Sequence, residues 1–388
     1  MMSIGTTSMP VLSMGFRPFF LAAGVLAMFI MPVWLWAWAH APLHTPGLSA
    51  PQWHASVMVF GYGGAVLAGF VLTAVANWTS RPPVAGLRLL VLLALWLCAL
   101  AAPFFGDVTG SVLALAGSGF AILLAGLVWR EVIAARSQRN YKVAAAISAF
   151  ALAALIFAWP QAAPELLDLA LRLALAVLAV LLALVGGRIT PAFTRNWLKA
   201  RGKAGPAPEG WLDKGGLMVM AAGTGLWVIW PYALVTGVVL VVAGLTALVR
   251  LVRWKAFSVA AEPLLFTLHA GYAWTGAALL LLGLHALVPA WVPRDAGLHA
   301  LGGGAIGVMT LSVMTRATLG HTGRELTADA AVVGMLLLAH LSALVRVAAP
   351  WLDGLYGFAL MASGGLWTGA FVLFLWLYTL PLLRPRLT

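Results

Sequence analysis

The chain has 388 residues, of which 63% are hydrophobic and only 9% are charged, and its mean hydropathy is +0.99. This composition excludes a soluble globular protein, because too little polar surface remains to face water. The net charge of +12 is spread over many short loops, which is typical of membrane orientation, so we expect no nucleic-acid partner. The lipid bilayer is therefore the first predicted partner.

Apolar runs that are long enough to cross a bilayer, at about 20 residues per crossing, follow one another along the chain. Their length is typical of helices and not of the alternating strands of a β-barrel. The first run spans by itself, so no cleavable signal peptide is expected. We predict an all-α, polytopic membrane protein with about 12 transmembrane helices, at residues 19–39, 54–76, 86–104, 111–129, 143–160, 166–187, 214–231, 233–249, 258–285, 298–316, 328–347 and 355–380.

Basic residues predict how these spans are oriented. If both termini are cytoplasmic, all but three of the 23 Lys and Arg residues lie on the cytoplasmic side, the exceptions being Arg172, Arg294 and Arg346. Positive charge is enriched on that side of membrane proteins, so we predict cytoplasmic N and C termini. A basic, Gly- and Pro-rich linker is predicted at 199–213, between a first six-helix half (1–198) and a second (214–388) of one integral membrane domain.

Several of the eight histidines fall within or at the ends of apolar runs. Ionisable side chains inside a bilayer are costly and mark a cofactor, an ion path or a proton relay. Two histidines that share a metal ion must lie at one level, and the helical rise of about 1.5 Å per residue permits two pairs, His54 with His299 and His269 with His340. His269 also lies in an aromatic setting that fits a haem ligand, although a hydrogen-bonded packing role is the alternative.

Arginines stand beside Gly and Pro where several predicted spans begin or end. Their ordinary interpretation is that the glycines cap helices and the arginines orient them. Alternatively, the guanidinium groups converge on an anion through bidentate contacts. The residues concerned are Arg17, Arg188, Arg195, Arg316 and Arg324, together with His321.

Five blocks of this sequence, in order and over nearly the whole chain, resemble the NnrS family: Arg17, His54 with 61–78, 187–196, 268–274 and 299–324. The resemblance implies a bacterial inner-membrane protein that carries haem and copper and is associated with the response to nitric oxide. His54, His269, His299 and His321 match histidines of the family motifs, whereas His340 matches none. Family members often read His-Ala-His-Glu-Met where this chain reads His54-Ala55-Ser56-Val57-Met58, so an imidazole and a carboxylate available to copper are missing.

We therefore expect haem b, bound without a covalent bond because no CxxCH motif is present, and nitric oxide or a related small ligand as its partner. The predicted metal ligands are His54, His269 and His299, and the arginines above with His321 are predicted cofactor contacts. The electron donor stays unspecified, as does whether the protein is an enzyme. Two further functions are open: a metal-free secondary transporter for a small anion, which would depend on the arginines, and a haem-based nitric oxide sensor without turnover.

Overall fold

The computed structural model describes residues 9–41, 43–105, 110–159 and 162–387. These residues form helices and no strand, which confirms the predicted all-α class, and eleven of their helices are long and apolar enough to cross a membrane. The chain is thus a multi-pass membrane protein. With Trp211–Ile229 added, the twelve main helices of this part of the chain are α1 (Phe16–Ala39), α2 (Ala50–Thr79), α3 (Leu87–Phe104), α4 (Ala114–Ala134), α5 (Gln138–Ala158), α6 (Pro164–Lys199), α7 (Trp211–Ile229), α8 (Leu234–Arg253), α9 (Pro263–Leu287), α10 (Arg294–His321), α11 (Ala330–Trp351) and α12 (Tyr356–Leu383).

Helix α7 is the twelfth helix and stands outside the eleven apolar ones. The helix is long enough to cross a membrane. However, Asp213 and Lys214 lie in its first turn and four glycines follow, so its mean hydropathy is lower than that of the eleven apolar helices. The cytoplasmic orientation of the termini and the division at 199–213 stay predictions.

Helix α6 is longer than we expected from hydropathy. The predicted sixth span ended at residue 187, yet the helix continues to Lys199 and contains Pro191. Proline removes one backbone hydrogen bond but does not have to end a helix whose other bonds and side-chain contacts are kept. This extension places the polar residues of 188–199 on a regular helical surface.

Two of the spans contain π-helix. Val57–Gly63 forms a π segment within α2, and Ala300–Val308 forms one within α10. In both spans a short α-helical segment comes first and carries a predicted ligand, His54 in one and His299 in the other. Wide π turns are rare and often occur at functional sites, so both histidines lie beside unusual backbone.

The described residues group into two compact units. The first comes from 1–177, 317–325 and 374–388, and the second from 178–316 and 326–373. In the second unit, α8 and α9 pack through a seam of small residues, Gly237 and Gly244 against Gly283 and Gly276. A Cβ added at any of these four would lie 2.7 to 2.8 Å from an atom of the facing helix, so the close approach requires glycine.

Candidate functional site

His299 is held in a geometry that is typical of metal-binding histidines. Its Nδ1 lies 2.8 Å from the backbone oxygen of Asp295, one turn earlier in α10. A carbonyl only accepts hydrogen bonds, so Nδ1 carries the proton and the lone pair is on Nε2. Nε2 has no hydrogen-bond partner within the residues that the structure describes. The half-buried ring therefore presents one oriented ligand atom.

Three consecutive glycines, 302–304, follow His299 in the π segment, so the backbone there carries no side chains. A Cβ added at Gly302 or Gly303 would have no atom within 4 Å, whereas one at Gly304 would lie 2.5 Å from the ring of Trp274. One side of the segment is thus packed against α9 while the other faces open space. Without Cβ atoms, a flat group can approach that backbone closely.

Arg346 of α11 lies close to His299 and was missed as a site residue, because the sequence showed it only as an exception to the charge asymmetry. Its Nη2 is 3.7 Å from Asp295 Oδ2, and its guanidinium carbon is 5.9 Å from the centroid of the Tyr356 ring. The positive charge is near enough to act on His299. Its Nη1 is buried and has no hydrogen-bond partner among the described residues. His299, Asp295, Arg346 and the two open glycines are called the His299 site below.

His269 of α9 is completely buried and its Nε2 lies 2.8 Å from the hydroxyl oxygen of Thr194 in α6. That hydroxyl donates its proton to the backbone oxygen of Thr190, also over 2.8 Å. With its only proton used, Thr194 accepts from Nε2, so the lone pair of His269 is on Nδ1. Nδ1 is buried and has no partner within the described ranges, but the enclosed ring leaves no open surface for a planar cofactor.

A buried charged network adjoins His269 and was also missed. Arg250 donates to the Tyr272 hydroxyl over 2.6 Å and to Asp213 Oδ1 over 3.2 Å. The ring of Trp254 lies 4.5 Å from Tyr272 and 6.4 Å from His269. Arg250 was predicted only as an orienting charge, because its partners lie on α7 and α9 and nothing in the linear sequence joins them.

Both ring nitrogens of His340 are occupied. Trp274 Nε1 donates to His340 Nδ1 over 3.2 Å, and His340 Nε2 lies 3.3 Å from the hydroxyl oxygen of Thr267. Thr267 and His269 are two residues apart on α9 and so project about 200° apart. His340 therefore lies on the opposite face of α9 from His269, which argues against the permitted pairing of these two histidines at one iron.

In the first unit, His54 is half-buried and its ring stacks on Trp34, with centroids 4.5 Å apart. Ser56, which stands where family members often have a second histidine, donates its hydroxyl to the Trp53 oxygen over 2.8 Å. His54 belongs to the first unit and His299 to the second, so their pairing stays a prediction.

Three other predicted contacts come together in the first unit. Arg17 and Arg324 are close enough for their charges to interact, and the ring of His321 lies 5.4 Å from that of Phe16. However, Arg17 Nη1 donates to the oxygens of Pro381, Leu382 and Arg384, at 3.3, 3.0 and 2.6 Å. The Nη1 group of Arg17 is therefore used by backbone oxygens at the end of α12 and is not available to an anion.

The remaining predicted arginines differ in how far they are buried. Arg188 and Arg195 of α6 are exposed, whereas Arg316 of α10 is half-buried with its guanidinium carbon 4.7 Å from the Phe193 ring centroid. Arg316 also lies within electrostatic reach of Glu262. The structure therefore brings Arg316, but not the two exposed arginines, into the interior of the second unit.

Metal chemistry in this chain would depend on few protein ligands. No group of three or more His, Cys, Asp or Glu side chains that could hold an ion occurs among the described residues. A haem requires only one or two, since the macrocycle supplies the other four donors. Of the three predicted ligands, His299 combines an available lone pair with open space beside it.

A family model described as NnrS protein matches residues 10–386 of the chain. No curated protein matches it. The matched range includes all twelve helices and the three predicted ligands His54, His269 and His299.

Proposed function

Because the chain belongs to the NnrS family, we propose that it binds haem b at His299 and acts on nitric oxide, in its metabolism, its detoxification or the response to nitrosative stress. The membrane concerned would be the bacterial inner membrane. The observation that carries the proposal is the His299 ring, whose Nδ1 proton is fixed on the Asp295 oxygen at 2.8 Å while Nε2 stays available.

The residues of the His299 site fit a haem on three counts. Nε2 of His299 would bind the iron, the backbone at Gly302 and Gly303 leaves room for a flat ring, and the buried Nη1 of Arg346 lacks a partner among the described residues. When bound, haem supplies an iron atom with a position for nitric oxide. The protein holds the imidazole in one tautomer and packs the other side of the π segment against Trp274.

The proposed cofactor is haem alone, without copper. Ser56 uses its hydroxyl within α2, and the side chains that copper could have used at positions 56 and 57 are replaced by Ser and Val. Copper thus stays a prediction from the family resemblance. His54 and His269 likewise stay predicted ligands, the second through its Nδ1.

The test is an optical spectrum of the detergent-purified protein, oxidised, reduced, and reduced with nitric oxide, together with iron and copper analysis. We expect a Soret band that shifts when nitric oxide is added, with iron in proportion to haem. A colourless, metal-free preparation, even after haem is supplied during expression, would contradict the proposal and favour the metal-free transporter. Consumption of nitric oxide in the presence of a reductant would then separate an enzyme from a sensor that only binds it.

A further inference from the structure

Arg346 has more hydrogen-bonding capacity than its surroundings use. A guanidinium carries five N–H donors in a planar fork. Its contact with Asp295 is a single 3.7 Å ion pair, and the Asp295 side chain is 52% exposed while that of Arg346 is 14% exposed. Nη1 is buried without a partner among the described residues. An unpaired buried donor on a charged group is unfavourable, so this arrangement is completed when an anion binds.

The position of Arg346 indicates which anion this is. The guanidinium pairs with Asp295, whose backbone oxygen holds His299 Nδ1 at 2.8 Å, and open space adjoins Gly302 and Gly303, three and four residues after His299. A ligand held by His299 would therefore have Arg346 near its periphery. A carboxylate on that periphery matches the fork of Arg346 in shape and charge, with two parallel N–H···O bonds.

We propose that Arg346 binds a carboxylate of the ligand held by His299, which for haem is a propionate. This inference rests on the proposed function and adds Arg346 to the arginines predicted as cofactor contacts, of which Arg316 also has a buried nitrogen, Nε, without a partner among the described residues. Arg346 would thus hold the cofactor at a second point, apart from His299.

The experiment compares haem b with its dimethyl ester, which keeps the iron and the ring but has no carboxylate. The detergent-purified protein, freed of haem, is titrated with each and the Soret band is followed. We expect the wild type to prefer haem b, and Arg346→Gln to lower the affinity for haem b about 10- to 100-fold while leaving the ester unchanged. Arg346→Lys should keep part of the preference, because an ammonium group pairs with a carboxylate but cannot form the two parallel bonds.

Arg294→Gln is the matched control. It removes the same charge from the first residue of α10, and Arg294 is half-buried as Arg346 is. It should behave like the wild type toward both ligands. Thermal unfolding of each variant shows whether it is folded, and the conservative Lys variant keeps the test available if the Gln variant is unstable.

The outcomes are distinct. Equal affinity of the wild type for haem b and the ester would overturn the role of Arg346 but leave haem binding at His299 intact. Equal weakening of the binding of haem b and of the ester by Arg346→Gln would also overturn the role of Arg346, since it would indicate a structural effect only. A wild type that binds neither ligand would overturn the proposed function and this inference with it.

Discussion

The hydroxyl oxygen of Thr194 lies 2.8 Å from Nε2 of His269 and joins α6 to α9 in the interior of the second unit. The same hydroxyl donates to the oxygen of Thr190, so it fixes which nitrogen of His269 carries the proton. This contact exists because α6 continues past its predicted end, and it gives a fully buried imidazole its one hydrogen-bond partner among the described residues.

Replacing Thr194 with Val should destabilise the protein by about 1–3 kcal/mol, because it leaves the Nε2–H group of His269 buried without a partner. The control is Thr224→Val, since Thr224 is also a buried helical threonine of the second unit and its hydroxyl donates only to backbone oxygens. Unfolding free energies of both variants, measured in the same detergent, provide the check. Equal losses would mean that the contact with His269 contributes nothing measurable.

Replacing His299 with Ala should remove nearly all haem, since its Nε2 is the atom proposed to bind the iron. His285→Ala is the matched control, because His285 is also half-buried and has Nδ1 2.8 Å from a backbone oxygen, that of Val292. The haem-to-protein ratio of each purified variant measures the effect. A His299→Ala protein with full haem content would show that His299 is not the ligand and would favour the half-buried His54 over the enclosed His269.

Gly302→Leu should abolish haem binding while the protein remains folded. A side chain at Gly302 meets no atom within 4 Å, so it fills the open space beside His299 without a clash, and loss of a helical glycine adds up to about 1 kcal/mol of stability. Gly365→Leu, in α12, also enters open space and is the control. Haem titration and the unfolding temperature are measured together. Normal haem affinity in Gly302→Leu would place the cofactor elsewhere.

Breaking the buried pair of Arg250 and Asp213 should cost about 3–5 kcal/mol, because Asp213 then keeps only the more distant Arg253, at 3.6 Å, and Arg250 alone keeps only the neutral hydroxyl of Tyr272. The double variant Arg250→Met with Asp213→Leu should lose less than the sum of the two single variants. A double-variant cycle of unfolding free energies measures this coupling. Strict additivity would show that the 3.2 Å contact is not energetically significant.

Apolar runs predicted most of the spans, because length and hydropathy decide which helices cross a bilayer. The ninth predicted span, 258–285, is observed as Pro263–Leu287. Hydropathy could not predict the end of α6, since a helix ends where its backbone bonds end and not where its side chains become polar. The π segment Ala300–Val308 was equally hidden, because its composition is that of any apolar helix.

Residue type and depth in the predicted membrane indicated which histidines could be site residues. They could not show what the ring nitrogens contact. The two partners of His340, Trp274 and Thr267, come from another helix. Arg346 and Arg17 were assigned from charge alone. Only the folded chain shows that Arg346 has an unused buried nitrogen among the described residues, whereas Arg17 Nη1 is occupied by three backbone oxygens.

The π segment after His299 also determines the rotation of everything that follows it in α10. A π turn closes its hydrogen bond one residue later than an α turn, and each residue of an α-helix turns the chain by about 100°. If the segment tightened to α-helix with no residue removed, Ser312 and Arg316 would swing around the helix axis relative to His299. Their contacts with Thr267 and Phe193 would then be lost. The winding of nine residues beside one histidine is thus coupled to the contacts at the other end of the same helix.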